Sequence, residues 1–378
     1  MVNRQRIAEE FRHLAGLSSP AFGEGEISLY LQQRLRGLGA TVTMDDAGVQ
    51  IGGQSGNLIA SFAASDGNRD PLLLAVHMDT VGPAEGVQPL FREGVFTSVG
   101  DTVLGADDKA GIAEIIEALE ILREQGIPHG PIELLVTVCE EVGLLGVKHL
   151  DPARLRSRRG LALDTTGVDR LITAAPAANK MRFTLVGREA HAGIAPEQGL
   201  SAIAVAARGV AAMRLGRIDF ETTANIGTFH GGEATNIVPG RVILEGEVRS
   251  HDEAKLAAQT EHMVTCLEQA ARESTCFIDG QRVEVSVHRQ VFSDYPRLAV
   301  DADAALVRLV RLASENLGRP LQVCAGGGGS DANILGSFGI EMAILGTGMT
   351  RVHTSEESVS LEDMVRVTEL LVEVLRLA

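Results

Sequence analysis

The sequence predicts an α/β protein that has a mostly parallel, doubly wound sheet, with a smaller α+β domain inserted into it. In the first half of the chain, and again after about residue 291, apolar runs typical of buried strands alternate with segments whose apolar residues recur at helical spacing. Between about residues 179 and 290 the strands instead alternate polar and apolar residues, as half-exposed strands do. The predicted domains are therefore 1–178 joined with 291–378, and the inserted segment 179–290.

The elements of the first part follow from apolar spacing and from the glycines that end its helices. In chain order we predict helices at 3–17 and 24–38, strands at 41–45, 57–62 and 71–78, a loop with a short strand at 95–105, a helix at 109–125, and strands at 132–138 and 160–163. Strands that alternate with helices imply parallel pairing, because two parallel strands need a long crossover connection, usually a helix.

The inserted segment and the last part are predicted in the same way. The inserted segment would contain strands at 180–186, 225–229, 241–249 and 283–288 and helices at 200–215 and 253–273, in a βαββαβ-like order. The last part would contain helices at 302–316 and 361–376, strands at 321–324 and 342–345, and the glycine run 326–329. A glycine run after a strand can cradle a phosphate, but this one lacks both the Lys-Ser/Thr and the GxGxxG spacing of nucleotide-binding loops.

Composition argues against several classes of partner. The 378 residues carry a formal net charge of -16 and no Lys/Arg-rich run, which argues against nucleic acid and anionic membranes. The amino-terminal stretch lacks the apolar segment of a secretion signal, and no apolar run approaches the length of a membrane span, so we expect a cytoplasmic protein. Four cysteines without a CxxC pair suggest neither a disulfide framework nor a thiolate zinc site, and Cys139 is interpreted as a buried core residue.

Two adjacent carboxylates, Glu140 and Glu141, end the apolar run at 132–138. A desolvated carboxylate is unfavourable unless it is paired, coordinated or protonated. In α/β sheets, ligands bind at the ends of strands. If one glutamate binds a metal ion and its neighbour faces a metal-bound water, both charges are explained, and the pair predicts a hydrolytic centre.

Other residues that could bind a metal also end apolar strands or stand in glycine-flanked loops. They are His77, Asp79, Asp107, Asp164 and His353. Each taken alone has an ordinary structural interpretation; Asp107 and Asp108, for example, could simply cap the helix that follows them. Their recurrence favours a hydrolytic centre for zinc, cobalt or manganese, because imidazole and carboxylate without thiolate suit these ions and two ions need about five or six protein ligands.

Five stretches of the chain form a recognisable set. They are His77-Met78-Asp79-Thr80, Gly105-Ala106-Asp107-Asp108-Lys109-Ala110-Gly111, Cys139-Glu140-Glu141-Val142-Gly143, Leu163-Asp164 and Val352-His353-Thr354. Together they resemble the co-catalytic zinc exopeptidases, which include peptidase T, aminoacylase, succinyl-diaminopimelate desuccinylase and glutamate carboxypeptidase, with peptidase T the most similar. The resemblance implies a zinc exopeptidase-like catalytic domain made of 1–178 and 291–378, and a lid at 179–290 through which two subunits form a homodimer.

The resemblance implies a centre of two Zn²⁺ ions per subunit, which Co²⁺ or Mn²⁺ could replace. His77 and Asp164 would bind one ion. Glu141 and His353 would bind the other ion. Asp107 would bridge the two.

The resemblance also implies the catalytic roles at this centre. Asp79 would orient His77. The nucleophile would be a metal-bridging hydroxide, and Glu140 would act as the general base that takes a proton from the bridging water and later delivers it to the leaving amine. The peptide bond between Asp107 and Asp108 would be cis, as it often is in the family.

Further residues are assigned to the substrate side by the same resemblance. His191 would reach the active site of the partner subunit and stabilise the oxyanion. Asn236 would contact the substrate, and Arg249 would bind a substrate carboxylate, for which a guanidinium fork is suited. A backbone-lined wall beside the metals would be formed by Gly328, Gly329 and Ser330.

We therefore expect a metallopeptidase that cleaves amide bonds of short peptides, as an aminopeptidase of the tripeptidase type. The same centre could instead act on an acylated amino acid as an amidohydrolase, or serve a carboxypeptidase or dipeptidase, and the sequence leaves these alternatives open. A non-catalytic metal-binding scaffold would lack Glu140 or a ligand, and all of them are present. The segment between His77 and Asp107 is shorter than in the family's true tripeptidases, which argues against strict tripeptide specificity.

Overall fold

The computed structural model describes residues 1–65, 67, 69–278 and 280–378. The chain divides into two units: unit 1 comprises Met1–Ala175 and Leu298–Ala378, and unit 2 comprises Pro176–Arg297. The sequence placed the limits of the inserted segment at 179 and 290, inside these bounds. The difference arises because unit 2 begins with small residues and its last strand is exposed along most of its length.

The helices and strands fall in three successive parts of the chain. The first part of unit 1 contains α1 (Arg4–Gly16), α2 (Gly25–Gly37), β1 (Thr41–Met44), α3 (Ala47–Ile51), β2 (Leu58–Phe62), β3 (Leu72–His77), β4 (Pro89–Arg92), β5 (Val95–Ser98), α4 (Ala106–Gln125), β6 (Ile132–Thr137), α5 (Leu145–Lys148), β7 (Arg159–Thr165) and β8 (Arg170–Ala175). Unit 2 contains β9 (Ala177–Val186), β10 (Ala190–His191), α6 (Ala202–Ala212), β11 (Gly216–Arg217), β12 (Thr222–Gly231), β13 (Ile237–Val238), β14 (Arg241–Ser250), α7 (Glu253–Arg272), β15 (Cys276–Ile278), β16 (Gln281–Val283) and β17 (Ser286–Tyr295). The second part of unit 1 contains β18 (Leu298–Ala299), α8 (Ala305–Asn316), β19 (Gln322–Ala325), α9 (Asp331–Ser337), β20 (Glu341–Gly346), β21 (Ser358–Ser360) and α10 (Leu361–Leu377).

The main sheet of unit 1 is mixed, with parallel pairing at its centre. Its strand order is β1-β2-β6-β3-β7-β20-β8-β18, and β19 also pairs with β8. The neighbours β6, β3, β7 and β20 run parallel, whereas the pairs β1–β2, β2–β6, β20–β8 and β8–β18 are antiparallel. Every residue of β3 and β6 is buried, which explains why their sequences are largely apolar. The predicted α/β class is confirmed, and the antiparallel strands toward the two edges are an addition to it.

Unit 2 is the α+β unit that the sequence predicts. Its main sheet is antiparallel, in the order β11-β12-β14-β9-β17. Along β9 the buried side chains of Met181, Phe183 and Leu185 alternate with more exposed ones, and they share an apolar core with α6 and α7. This alternation is what a sheet covered on one face requires. None of the described helices is both long and apolar enough to cross a bilayer.

The parallel strands of unit 1 place the predicted site residues at one edge of the sheet. β3 ends at His77, β7 carries Asp164 near its end, and β6 ends just before Glu140. The first turn of α4 contains Asp107. Because parallel strands present their carboxyl ends at the same edge, these side chains meet where ligands bind in α/β proteins.

Candidate metal centre

Two imidazoles and three carboxylates meet at this edge. The Nε2 atom of His77 lies 3.1 Å from Asp107 Oδ1 and 3.9 Å from Asp164 Oδ1. The Nε2 atom of His353 lies 3.2 Å from Asp107 Oδ2 and 3.1 Å from Glu141 Oε1. Asp107 therefore stands between two groups of side chains, with one carboxylate oxygen facing each imidazole.

These side chains fit a metal centre. His77, Asp107 and Glu141 each offer one ligand atom, and these atoms all lie within 4.8 Å of one another. Glu141 Oε1 is buried and has no partner in hydrogen-bond geometry among the described residues, although His353 is close to it. A buried carboxylate oxygen without a hydrogen bond is costly, and a cation would satisfy it. Imidazole nitrogen with carboxylate oxygen is a donor set that zinc, cobalt and manganese accept.

Three side chains of this cluster have raised pKa values, which favour their protonated forms in the protein alone. The nearby carboxylates of Asp107 and then of Glu141 raise the pKa of His353 to about 10. Burial by itself would lower the pKa of His77, but the hydrogen bond to Asp107, followed by the nearby carboxylate of Asp79, raises it well above its usual value. Burial, followed by the charge of Asp107, raises the pKa of Asp164 well above the ordinary range. A cation that binds here must displace such protons.

Asp79 connects two of the strand ends. Its carboxylate accepts hydrogen bonds from the backbone N–H groups of Glu140 (2.9 Å) and Glu141 (3.1 Å). Its backbone carbonyl oxygen lies 2.9 Å from His77 Nδ1, whereas its Oδ1 atom is 3.6 Å away, beyond an ordinary hydrogen bond. The short contact with His77 is thus made by the carbonyl of Asp79, while the carboxylate fixes the Glu140–Glu141 turn.

Glu140 lines a pocket of about 300 Å³ together with the five side chains of the cluster. Burial, followed by the charge of Asp164, raises the pKa of Glu140 well above the usual value of a glutamate. A carboxylate with a raised pKa is suited to accept and release a proton near neutral pH. The same pocket is lined by Gly328, Gly329 and Ser330, and by Arg170, which sequence reasoning did not single out.

Glu357 holds the loop that carries Asp107, and sequence reasoning missed it. Its carboxylate accepts hydrogen bonds from the backbone N–H groups of Leu104 (2.8 Å), Gly105 (2.7 Å) and Asp107 (2.9 Å). The peptide bond between Asp107 and Asp108 is cis, as the resemblance implied. Glu357 is buried while the glutamate before it is exposed, and no local pattern distinguishes the two.

Glu24 supports the turn before Glu140, and it was also missed. Its Oε1 atom accepts hydrogen bonds from Cys139 N (3.0 Å), Cys139 Sγ (3.2 Å) and Phe22 N (3.1 Å). Cys139 is buried, which confirms its interpretation as a core residue, and burial followed by the bond to Glu24 raises the pKa of its thiol. Glu24 stands between two glycines, a pattern typical of an exposed turn, so no local signal marks it.

Three predicted site residues belong to unit 2. His191 is exposed on β10, and its Nδ1 atom accepts a hydrogen bond from Gly193 N at 3.2 Å. Asn236 is exposed, and its backbone carbonyl oxygen accepts a hydrogen bond from Ala192 N at 2.8 Å. This bond joins the loops that carry His191 and Asn236. Arg249 pairs with Glu247 through two hydrogen bonds of 2.9 and 3.1 Å.

The chain is similar in sequence and in structure to known peptidases. A model of the peptidase family M20/M25/M40 matches residues 73–377. The crystal structure of aminopeptidase PepT from Bacillus cereus is 39% identical in sequence, covers 99% of this chain and 98% of that chain, and has a TM-score of 0.87. A tripeptidase from Staphylococcus aureus is 36% identical, covers 100% of this chain and 98% of that chain, and has a TM-score of 0.92.

A more distant structure shares the fold. The YXEP protein of Bacillus subtilis, described as a dinuclear metal binding peptidase of family M20, is 15% identical, covers 99% of this chain and 97% of that chain, and has a TM-score of 0.71. The family model spans most of the chain, and two relatives of matching length share more than a third of its residues. The chain therefore belongs to peptidase family M20/M25/M40, as a peptidase T-like metallo-exopeptidase, and the predicted recognition is confirmed.

Proposed function

We propose that this metallopeptidase removes the first residue from short peptides, with two metal ions held at the carboxyl edge of the unit 1 sheet. The observation that carries the proposal is the placement of Asp107, whose two carboxylate oxygens face two different imidazoles in the pocket that contains Glu140. A carboxylate shared between two groups of ligands is suited to a two-metal hydrolytic centre. The relatives named as an aminopeptidase and a tripeptidase support a short peptide as the substrate.

Each group of ligands would hold one Zn²⁺ ion, which Co²⁺ or Mn²⁺ could replace. His77 and Asp164 would hold the first ion, and His353 and Glu141 would hold the second. Asp107 would be shared between them. When bound, such ions make hydroxide available near neutral pH and polarise the scissile carbonyl.

Glu140 would serve first as general base and then as general acid. Its burial keeps its pKa high enough for the carboxylate to accept a proton from water and return it to the leaving amine. Asp79 holds the backbone N–H of Glu140 and so fixes where the carboxylate stands during both transfers. Glu24 supports the preceding residue in the same turn.

Residues of unit 2 would complete the site in a homodimer. We expect the exposed His191 to stabilise the oxyanion in the active site of the partner subunit. Asn236 would contact the substrate, and Arg249 would exchange Glu247 for a substrate carboxylate. The net charge of -16 argues against nucleic-acid and anionic-membrane partners. We expect the protein to be cytoplasmic.

The test is mass-spectrometric product analysis of zinc-reconstituted protein with four substrates: a free tripeptide, its N-acetylated form, a dipeptide and an N-acyl amino acid. We expect release of the first residue from the unblocked tripeptide but not from its N-acetylated form, and loss of all turnover after chelation. Cleavage of the N-acyl amino acid instead would identify an amidohydrolase on the same centre, and release of the last residue would identify a carboxypeptidase. Absence of turnover with both ions bound would favour a non-catalytic scaffold.

A further inference from the structure

Arg170 lies in the pocket of the metal cluster without a carboxylate partner. It begins β8 and lines the pocket together with Glu140 and the metal-binding side chains. Its Nε atom donates to Cys324 Sγ at 3.3 Å, and its Nη1 atom donates to Thr166 Oγ1 at 3.4 Å. In the part of the chain that the structure describes, no aspartate or glutamate lies within ion-pair distance of it. A thiol and a hydroxyl are weak partners for a guanidinium, so its charge is left for a ligand.

The glycine loop 326–329, which lines the pocket beside Arg170, adds backbone N–H donors. Gly326 N donates to Ala174 O at 2.7 Å, which fixes the glycine loop to β8. The next three residues, Gly327, Gly328 and Gly329, line the same pocket, and across the described ranges their backbone N–H groups donate no hydrogen bond. The space that a Cβ atom of Gly327 would occupy is open, with no atom within 4 Å. Successive free N–H groups in such a loop favour an anion.

We infer that Arg170 and the glycine loop bind a carboxylate of the peptide substrate, and that Arg170 thereby selects among peptides. This inference rests on the proposed function, because it takes the occupant of the pocket to be a peptide. Arg249 in unit 2 would have to release Glu247 before it could bind a substrate carboxylate, whereas Arg170 has no carboxylate partner to release. The carboxylate can come from the C-terminus of a short peptide or from an acidic side chain, and both present the same planar group to a guanidinium.

The test compares Arg170→Met with Arg36→Met, a matched loss of one exposed guanidinium on α2. The substrates are trialanine, trialanine amide, and two tripeptide amides that differ only in Glu or Gln at the last position. We expect Arg170→Met to lower kcat/KM about 10- to 100-fold, through KM, for the substrate whose carboxylate it binds. The neutral amides should change by less than about threefold, since they lack the charge-assisted contact. Arg36→Met should match the wild type on all four.

The four substrates separate the two sources of the carboxylate. A loss with trialanine but not with the Glu amide identifies the C-terminal carboxylate, and the reverse identifies a side chain. Arg170→Lys, which keeps the charge but loses the planar fork, should lie between wild type and Arg170→Met. An equal fall in kcat for all four substrates, or no change in any, would overturn the inference.

Peptide binding can be measured without turnover. Titration calorimetry of trialanine and its amide is made on zinc-loaded Glu140→Gln protein, with and without Arg170→Met. Preferential binding of the acid that disappears with Arg170→Met supports the inference, even if wild-type protein cleaves none of the peptides and the proposed function fails. The Glu and Gln tripeptide amides are titrated in the same way. Equal binding of trialanine and its amide, together with equal binding of the Glu and Gln amides, contradicts the inference, even if the wild type is an active aminopeptidase.

Discussion

The two units differ in whether they bury ionisable side chains. Unit 1 buries ionisable side chains, among them Lys109, Glu114 and Glu133. In the described part of unit 2, the buried polar side chains are uncharged; they are Thr222, Ser250, Gln259, Thr260 and Ser274. Because a buried charge is costly unless it is paired or hydrogen-bonded, unit 1 carries a cost that unit 2 avoids.

Partners offset this cost away from the metal centre. Glu133 accepts hydrogen bonds from Ser157 N at 2.7 Å and Ser157 Oγ at 2.6 Å, and Glu117 pairs with Arg6. In contrast, neither oxygen of Glu114 has a hydrogen-bond partner among the described residues, and burial raises its pKa well above the usual value. Unit 1 thus keeps ionisable side chains in its interior, most of them with hydrogen-bond partners, while the core of unit 2 is built from apolar side chains.

The largest effect should come from substitution of Glu140, the buried carboxylate of unit 1 to which only a catalytic role is assigned. We expect Glu140→Gln to lower kcat by about 10²- to 10⁴-fold, because the amide cannot accept a proton from water. Zinc content, measured by atomic emission, and the melting temperature should stay at wild-type values. Full activity with both ions bound would show that Glu140 is not the general base.

The next largest effect should come from substitution of Glu357, whose carboxylate supports the loop that carries Asp107. Glu357→Ala leaves three backbone N–H groups without an acceptor, so we expect the free energy of unfolding to fall by about 3–5 kcal/mol in urea denaturation. The matched control in unit 2 is Glu245→Ala, which removes an exposed pair with Arg182 and should cost less than about 0.5 kcal/mol. An equal fall in the free energy of unfolding for Glu357→Ala and Glu245→Ala would contradict the proposed difference between the buried carboxylates of unit 1 and the exposed ones of unit 2.

The strand-end residues could be predicted because their signal is local. A carboxylate or imidazole directly after an apolar run is visible in the sequence, and His77, Glu140 and Asp164 were found in this way. The parallel pairing that brings them together follows from alternating strands and helices. The individual roles at the centre came from family resemblance and stay predictions.

The supporting residues could not be predicted because their partners are distant in sequence. Glu24 meets Cys139, and Glu357 meets the loop before Asp107, across more than a hundred residues. Strand β8 was missed as well, and with it Arg170 at its start. The edge strands pair antiparallel through contacts that no local period specifies.

A smaller effect should come from the apolar core of unit 2. Leu244 on β14 is fully buried, and we expect Leu244→Ala to lower the free energy of unfolding by about 2–4 kcal/mol through the lost contacts and the cavity left behind. The zinc content of the folded protein should not change, since the proposed ligands all belong to unit 1. Loss of zinc from the folded variant would mean that the metal centre depends on the core of unit 2.

The smallest effect should be a dependence of metal affinity on pH. Since the pKa of His353 is raised to about 10 in the protein alone, its imidazole carries a proton at neutral pH, and an ion must displace it. Lowering the pH should therefore weaken zinc binding by about tenfold per pH unit for each protonated histidine. Chelator competition at pH 6, 7 and 8 measures this slope. An affinity independent of pH would contradict the protonated state of His353.

The metal centre is assembled from segments that are translated far apart in time. Asp107 is made early, but His353, which faces it, and Glu357, which holds its loop, are made only after all of unit 2. A ribosome-bound chain that already contains unit 2 still lacks one imidazole and the support for the shared carboxylate. Hydrolytic activity would thus be among the last properties that the growing chain acquires, and a fragment released early would be unable to digest other peptides.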